Sequence, residues 1–325
     1  METTPGPRPG YDFVPPPRQQ EPTVPAPATA QPGDAEQEMA RLLAALDFNR
    51  EFAHLSILAS DEYQGRKTGT TGAEAAAGYI SSQFAGLGLE PWTAVGLQTY
   101  SQPFVASGVS GENVIGTIPG TDPAGGYVIL AAHYDHLGLN SSGEAFNGAD
   151  DNAAGVAAIL EIANIFRQTG VKTEKTIVFC AFDGEEIDQL GSTALGQIII
   201  NSGLGSKVEM INIDGIGAMG GNYFGVWDEG FSGAAPIVES IKQAGNALGT
   251  EVVEEGTDIG SDAQSFDWKY SIPAVTVDWD WGSDPSVWHT YYHTIYDDPG
   301  NIDHAVMAQA TRIALVSLWL RATKP

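Results

Sequence analysis

Short apolar runs separated by stretches of helix length constrain this chain more than any other feature. Residues 127–132, 176–182, 208–213 and 273–277 are largely apolar along their whole length instead of alternating with polar residues. A strand with two apolar faces must be covered on both of them. Strands that alternate with helices of ten or more residues build a parallel sheet with helices on each side. The reading is therefore a three-layer α/β fold, with a mostly parallel central sheet and helices on both faces. Further strands are expected near 100–105, 112–118 and 251–254. Helices are expected over 35–58, from Asn152 onward, and over 192–200, 233–247 and 303–322. In the first of these, Met39, Leu42, Leu43 and Leu46 form one apolar stripe. Thr71-Gly72-Ala73-Glu74 reads as a capping box that opens a helix running to about Leu87, stopped by Gly88 and Pro91. The gaps between motifs leave no room for an inserted unit. One catalytic domain is expected from about residue 36 to 325, with residues 1–34 as a disordered, Pro-rich tether.

Charge narrows the partners. The 325 residues include 41 acids and 15 bases, for a net charge of -26. Nucleic acid needs a basic face, and so does an anionic lipid surface, which excludes both as partners. No apolar run approaches the ~20 residues that span a bilayer. Cys180 is the only cysteine, so an internal disulfide is excluded, and a cysteine-based zinc site is not expected. Its place inside run 176–182 reads as a buried structural thiol. Residues 1–34 lack the apolar core of a signal peptide. A Pro-rich tether before a free-standing domain suggests an exported protein, extracellular or periplasmic.

Polar residues cluster where the apolar runs end. In open α/β sheets, ligands bind at the carboxyl ends of the strands. His133-Tyr134-Asp135 follow the first run, Asp183 and Glu185-Glu186 the second, and Asp214 the third. Asp150-Asp151-Asn152 precede a helix, and Tyr292-His293-Thr294 lie in a polar, aromatic loop. His136 and His289 are further imidazoles nearby. Adjacent carboxylates repel each other. A helix N-terminus offers some compensation, and a bound cation offers much more. Carboxylates and imidazoles in this set suit a pair of Zn²⁺ ions sharing one bridging carboxylate. Of Glu185 and Glu186, one can ligate while the other stays free to shuttle a proton.

These motifs, in this order, resemble the di-zinc aminopeptidase family of secreted leucine-type aminopeptidases, whose relatives include glutamate carboxypeptidase and glutaminyl cyclase. The resemblance is carried by His133-Tyr134-Asp135, Asp151-Asn152-Ala153-Ala154-Gly155, Glu185-Glu186 with Leu190-Gly191-Ser192, Ile213-Asp214, and Tyr292-His293-Thr294 with Asp297. The segment from Leu58 through Gly65-Arg66 to Gly69 and Gly72 also looks like the family, and the likeness spans roughly residues 50–320. It implies that Asp151, four residues before Gly155, bridges two Zn²⁺ per chain. His133 and Asp214 would complete one site, Glu186 and His293 the other. His293 is preferred to His289 because Thr294 and Asp297 follow it. Glu185 would be the general base that deprotonates a water shared by the ions, and Asp135 would orient His133.

The implied substrate is a peptide, and the simplest implied activity is aminopeptidase. The alternative is a glutaminyl cyclase-like enzyme with one zinc, which Phe182-Asp183-Gly184-Glu185-Glu186 and Asn301-Ile302-Asp303 also resemble. A carboxypeptidase would need a cation for the substrate carboxylate, and Arg66-Lys67 is the only close basic pair near a motif. One departure is Ala263 in Ser261-Asp262-Ala263, where the family often has histidine. Trp268, Trp279, Trp281, Trp288, Tyr291 and Tyr292 could wall a pocket for an apolar side chain. Asp278, Asp280 and Asp284 could bind Ca²⁺.

Overall fold

Four parallel strands at the centre set the architecture of this computed structural model, which describes residues 33–219, 223–256, 260–279 and 290–323. All but the last two residues of the expected tether lie outside that set. So do Asp280, Trp281, Asp284, Trp288 and His289.

The strands are β1 (Ser101–Ala106), β2 (Val109–Ile118), β3 (Tyr127–His133), β4 (Gly138–Leu139), β5 (Ala145–Phe146), β6 (Thr176–Phe182), β7 (Val208–Ile213), β8 (Phe224–Trp227), β9 (Val252–Gly256) and β10 (Ala274–Trp279). The helices are α1 (Asp34–Ala44), α2 (Phe48–Leu58), α3 (Thr71–Leu87), α4 (Gly155–Thr169), α5 (Leu190–Asn201), α6 (Ala235–Leu248), α7 (Asp262–Tyr270) and α8 (His304–Thr323). The main sheet runs β1-β2-β6-β3-β7-β10-β8-β9, and β4 and β5 form a separate ribbon. Strands β6, β3, β7 and β10 are parallel. Antiparallel β2 and β8 flank them, so the sheet is mixed. The β1–β2 hairpin turns at Ser107 and Gly108, both at positive φ, the backbone that a tight two-residue hairpin requires.

Side chains of β3 alternate between two cores, as the period of a strand dictates. Val128, Leu130 and Ala132 join α3, α4, α6 and α8 on one face. Ile129 and Ala131 join Leu195 and Ile199 of α5 and Ala263 and Phe266 of α7 on the other. Cys180 is buried in this second core, as expected.

Local details depart from the sequence reading. The helix expected over 35–58 is two helices, because the Asp47 side chain accepts the backbone N–H of Asn49 and Arg50 and opens α2. The capping box at Thr71 does not form. Thr70 holds the cap position of α3, and its hydroxyl donates to the Lys67 carbonyl instead. Strand β8 and helix α7 were not anticipated.

Candidate metal centre

The parallel strands end together, and that brings the polar clusters into one place. His133 pairs in register with Phe182, and Ala131 with Asn212. His133 therefore closes β3 level with the turn that carries Glu185 and Glu186, while Asp214 extends β7. Residues 149–154 form a wide turn ahead of α4, with a cis peptide between Asp151 and Asn152. The Asp297 carboxylate clamps this turn by accepting the backbone N–H of Asp150 at 2.9 Å and of Asp151 at 3.1 Å.

Two clusters share Asp151. On one side His133 Nε2 lies 3.2 Å from Asp151 Oδ1 and 3.3 Å from Asp214 Oδ1. On the other, His293 Nε2 lies 3.1 Å from Asp151 Oδ2 and 3.2 Å from Glu186 Oε2. A tetrahedral zinc with ligands at ~2.0–2.1 Å sets neighbouring ligand atoms roughly 3.3 Å apart. The four imidazole–carboxylate distances match that spacing. Asp151 Oδ2 is buried, and its near partners are the imidazoles of His293 and, at 3.7 Å, His136. Asp150 is turned away, with Oδ1 accepting the Gly217 N–H.

Electrostatics point the same way. Burial alone would lower the His133 imidazole, but Asp214 and Asp151 outweigh it and hold it well above its ordinary range. Burial likewise opposes protonation of His293, yet Asp151 and Glu186 lift it to about 10. Burial opposes the Asp151 charge, while His136, His133 and His293 hold its carboxyl well below the usual range. Glu185 goes the other way: burial, then Asp214, pushes it well up against the opposing pull of His133. Behind it Asp262 is buried and raised to about 7 by desolvation, with Asp214 adding to the effect. Among the described residues, carboxylates therefore outnumber the cations available to them here, and an added cation would relieve the imbalance.

All seven expected residues converge, although Asp135 does more than was expected. His133 Nδ1 is 3.1 Å from the Asp135 main-chain oxygen but 3.7 Å from its carboxylate. The carboxylate accepts the N–H of Glu185 at 3.1 Å, the N–H of Glu186 at 3.3 Å and the Thr68 hydroxyl at 3.0 Å. Its carboxylate thus holds the glutamate turn, and the His133 ring is met by the Asp135 main-chain oxygen in place of the expected carboxylate. Asp214 Oδ2 accepts the Ser261 hydroxyl at 2.5 Å.

The sequence reading left three contributors without roles. Arg66 is fully buried and donates to the carbonyls of Leu58, Tyr134, Asn147 and Gly148. Burial lowers it to about 10. Asp262 was noted only for its neighbour Ala263. His136 was one of three candidate imidazoles, and it stands beside Glu186 with Nδ1 2.6 Å from Oε1. Its offset of three from His133 was the available signal. The aromatic group divides: Tyr292 stacks on His293 at 3.8 Å, Trp279 is buried against Phe224, and Trp268 is exposed on α7.

Comparison with known proteins gives a consistent picture. Residues 113–318 match the sequence profile of Peptidase family M28. The leupeptin-inactivating enzyme 1 of Streptomyces exfoliatus is 30% identical over 210 residues, which are 63% of this chain and 42% of that protein. The chain spans less than half the length of the curated relatives it matches. The crystal structure of the Legionella pneumophila LapA aminopeptidase superimposes with a TM-score of 0.72 at 19% identity, covering 89% of this chain and 75% of that one. Porphyromonas gingivalis glutaminyl cyclase superimposes with a TM-score of 0.69 at 22% identity, covering 84% of this chain and 98% of that one. At these identities both structures speak for the shared fold alone.

Proposed function

This chain belongs to Peptidase family M28, and from that premise we propose that it is a zinc-dependent exopeptidase, an aminopeptidase that releases N-terminal residues from peptides. The observation that carries this is Asp151, which offers one oxygen to each of two tetrahedrally spaced clusters, with Glu185 beside them. His133, Asp151 and Asp214 would hold one ion, and Asp151, Glu186 and His293 the other. Bound there, the ions would supply Lewis acidity that lowers the pKa of water toward 7 and polarises a carbonyl.

The remaining chemistry belongs to the chain. Glu185 takes a proton as the water oxygen bonds to the scissile carbonyl carbon. It returns that proton to the amine nitrogen as the C–N bond breaks. Asp135 fixes the Glu185 main chain, so the base is held in place. The Tyr292 phenol is pushed up by burial and then by the surrounding carboxylates, so it keeps its proton and can donate a hydrogen bond beside His293.

Charge supports an amino terminus over a carboxyl terminus. Residues 134–140, 183–189, 214–223, 257–262 and 280–298 contain no lysine or arginine. Arg66 is committed to four carbonyls. An excess of carboxylates favours a substrate ammonium and disfavours a substrate carboxylate.

A panel of aminoacyl-p-nitroanilides, run beside N-blocked peptides with free carboxyl termini, tests the reading. Wild type should cleave the first set and spare the second. Glu185→Ala should lose about 10²–10⁴-fold in rate while keeping its metal. Cyclisation of an N-terminal glutamine without hydrolysis, with one zinc per chain, would favour the glutaminyl cyclase reading instead.

A further inference from the structure

His136 lies at the candidate metal centre, close enough to Asp151, Glu186 and His293 to be grouped with them, yet its contacts differ from theirs. Its ring is buried, and its main-chain N–H donates to the Arg66 carbonyl at 3.3 Å. Gly148 packs directly on the ring: a Cβ there would come within 2.6 Å of His136 Cγ and Cδ2, and its φ is +53°. The imidazole is therefore walled into one orientation, and its plane is tilted 65° to that of His293.

Two distances assign its part. His136 Nδ1 is 2.6 Å from Glu186 Oε1 and 3.7 Å from Asp151 Oδ2. The first is a hydrogen-bond distance, and it is too short for two ligands of one tetrahedral ion, which stand roughly 3.3 Å apart. Glu186 Oε2, at 3.2 Å from His293 Nε2, does match the ligand spacing. The two oxygens of Glu186 thus face different partners.

We propose that His136 is a positioning residue: its Nδ1–H holds Glu186 Oε1, so that Glu186 offers Oε2 alone to the ion shared with Asp151 and His293. The inference rests on the reading of Glu186 as a ligand. A carboxylate with one oxygen tied down cannot swing away or chelate through both oxygens, so it is preorganised for one bond. Partners of this kind are worth 10–100-fold in metal affinity. The cluster of His133 and Asp214 does not contact this hydrogen bond and should not feel its loss.

The experiment is a Zn²⁺ competition titration against a chromophoric chelator, with Co²⁺ absorption spectra, on wild type and four variants. His136→Ala should weaken one of the two sites about 10–100-fold and leave the other unchanged. His136→Asn places an amide N–H near the Nδ1 position and should recover most of that loss. His136→Gln places it near Nε2 and should not. If Asn is as weak as Gln and the Co²⁺ spectrum reports a lost nitrogen ligand, His136 is itself a ligand and the proposal falls. Unchanged affinities in His136→Ala overturn it too. Glu186→Ala separates the two readings. A weakened site there, with none in His136→Ala, overturns the positioning role alone. No change in either variant overturns the ligand reading as well.

Discussion

Carboxylates stand at both ends of the same sheet, under opposite conditions. Near the amino end of β7, Glu209 accepts Lys175 Nζ at 3.1 Å and Arg321 Nη2 at 2.7 Å, so the chain itself supplies the matching charge. At the carboxyl ends, Asp151, Asp214 and Glu186 meet imidazoles, and Asp135 meets backbone N–H groups and a hydroxyl. The nearby guanidinium of Arg66 gives its hydrogens to carbonyls. Glu209 is matched within a part-buried ion-pair network, whereas the acids at the strand ends make the candidate site for external cations.

The largest break in this comparison is expected at the shared ligand. Asp151→Asn removes an oxygen charge from both clusters, so zinc content and peptide hydrolysis should both fall by orders of magnitude. Metal analysis and a peptidase assay on the same preparation check this. Arg66→Met should come next. It removes a side chain bonded to four buried carbonyls and should cost roughly 3 kcal/mol or more in a denaturant melt, since each buried acceptor left unpaired costs ~1–3 kcal/mol.

A third prediction uses a buried acid away from the site. Burial lifts Glu51 to about 8, opposed by its hydrogen bond from Thr311. An acid raised in the folded state favours folding while it is protonated. Its contribution is full below the ordinary carboxyl pKa and is lost as pH rises toward 8. Glu51→Gln should therefore gain stability relative to wild type between pH 5 and 9, by a few kcal/mol at most. Parallel melts across that range would read it. The smallest effect belongs to the matched end. Arg321→Ala breaks a part-buried, two-pronged pair but leaves Glu209 its Lys175 partner, so it should cost about 1–2 kcal/mol and leave zinc content unchanged.

The sheet was legible because β3, β6, β7 and β10 are buried on both faces and their sequences say so. Strand β8 was not: four residues, Phe224–Trp227, carry too short a pattern. Helix α7 was missed because its sequence, DAQSFDWKY, has no clear apolar stripe. The break between α1 and α2 turns on one side-chain cap at Asp47, where the periodicity on either side reads as continuous. In the candidate site, the convergence of the seven named residues was legible from strand-end placement and family resemblance. His136 was not, because a histidine three residues from another is more often an ordinary hydrogen-bonded residue. Arg66 could not be placed either, since nothing in a sequence tells a guanidinium facing substrate from one buried among carbonyls.

The central claim is that the acids at the strand ends are completed by two cations. Zinc bound per folded chain, counted by equilibrium dialysis at saturating Zn²⁺, tests it most directly. The account predicts two per chain. One zinc, or none, in a folded and monodisperse sample would contradict it.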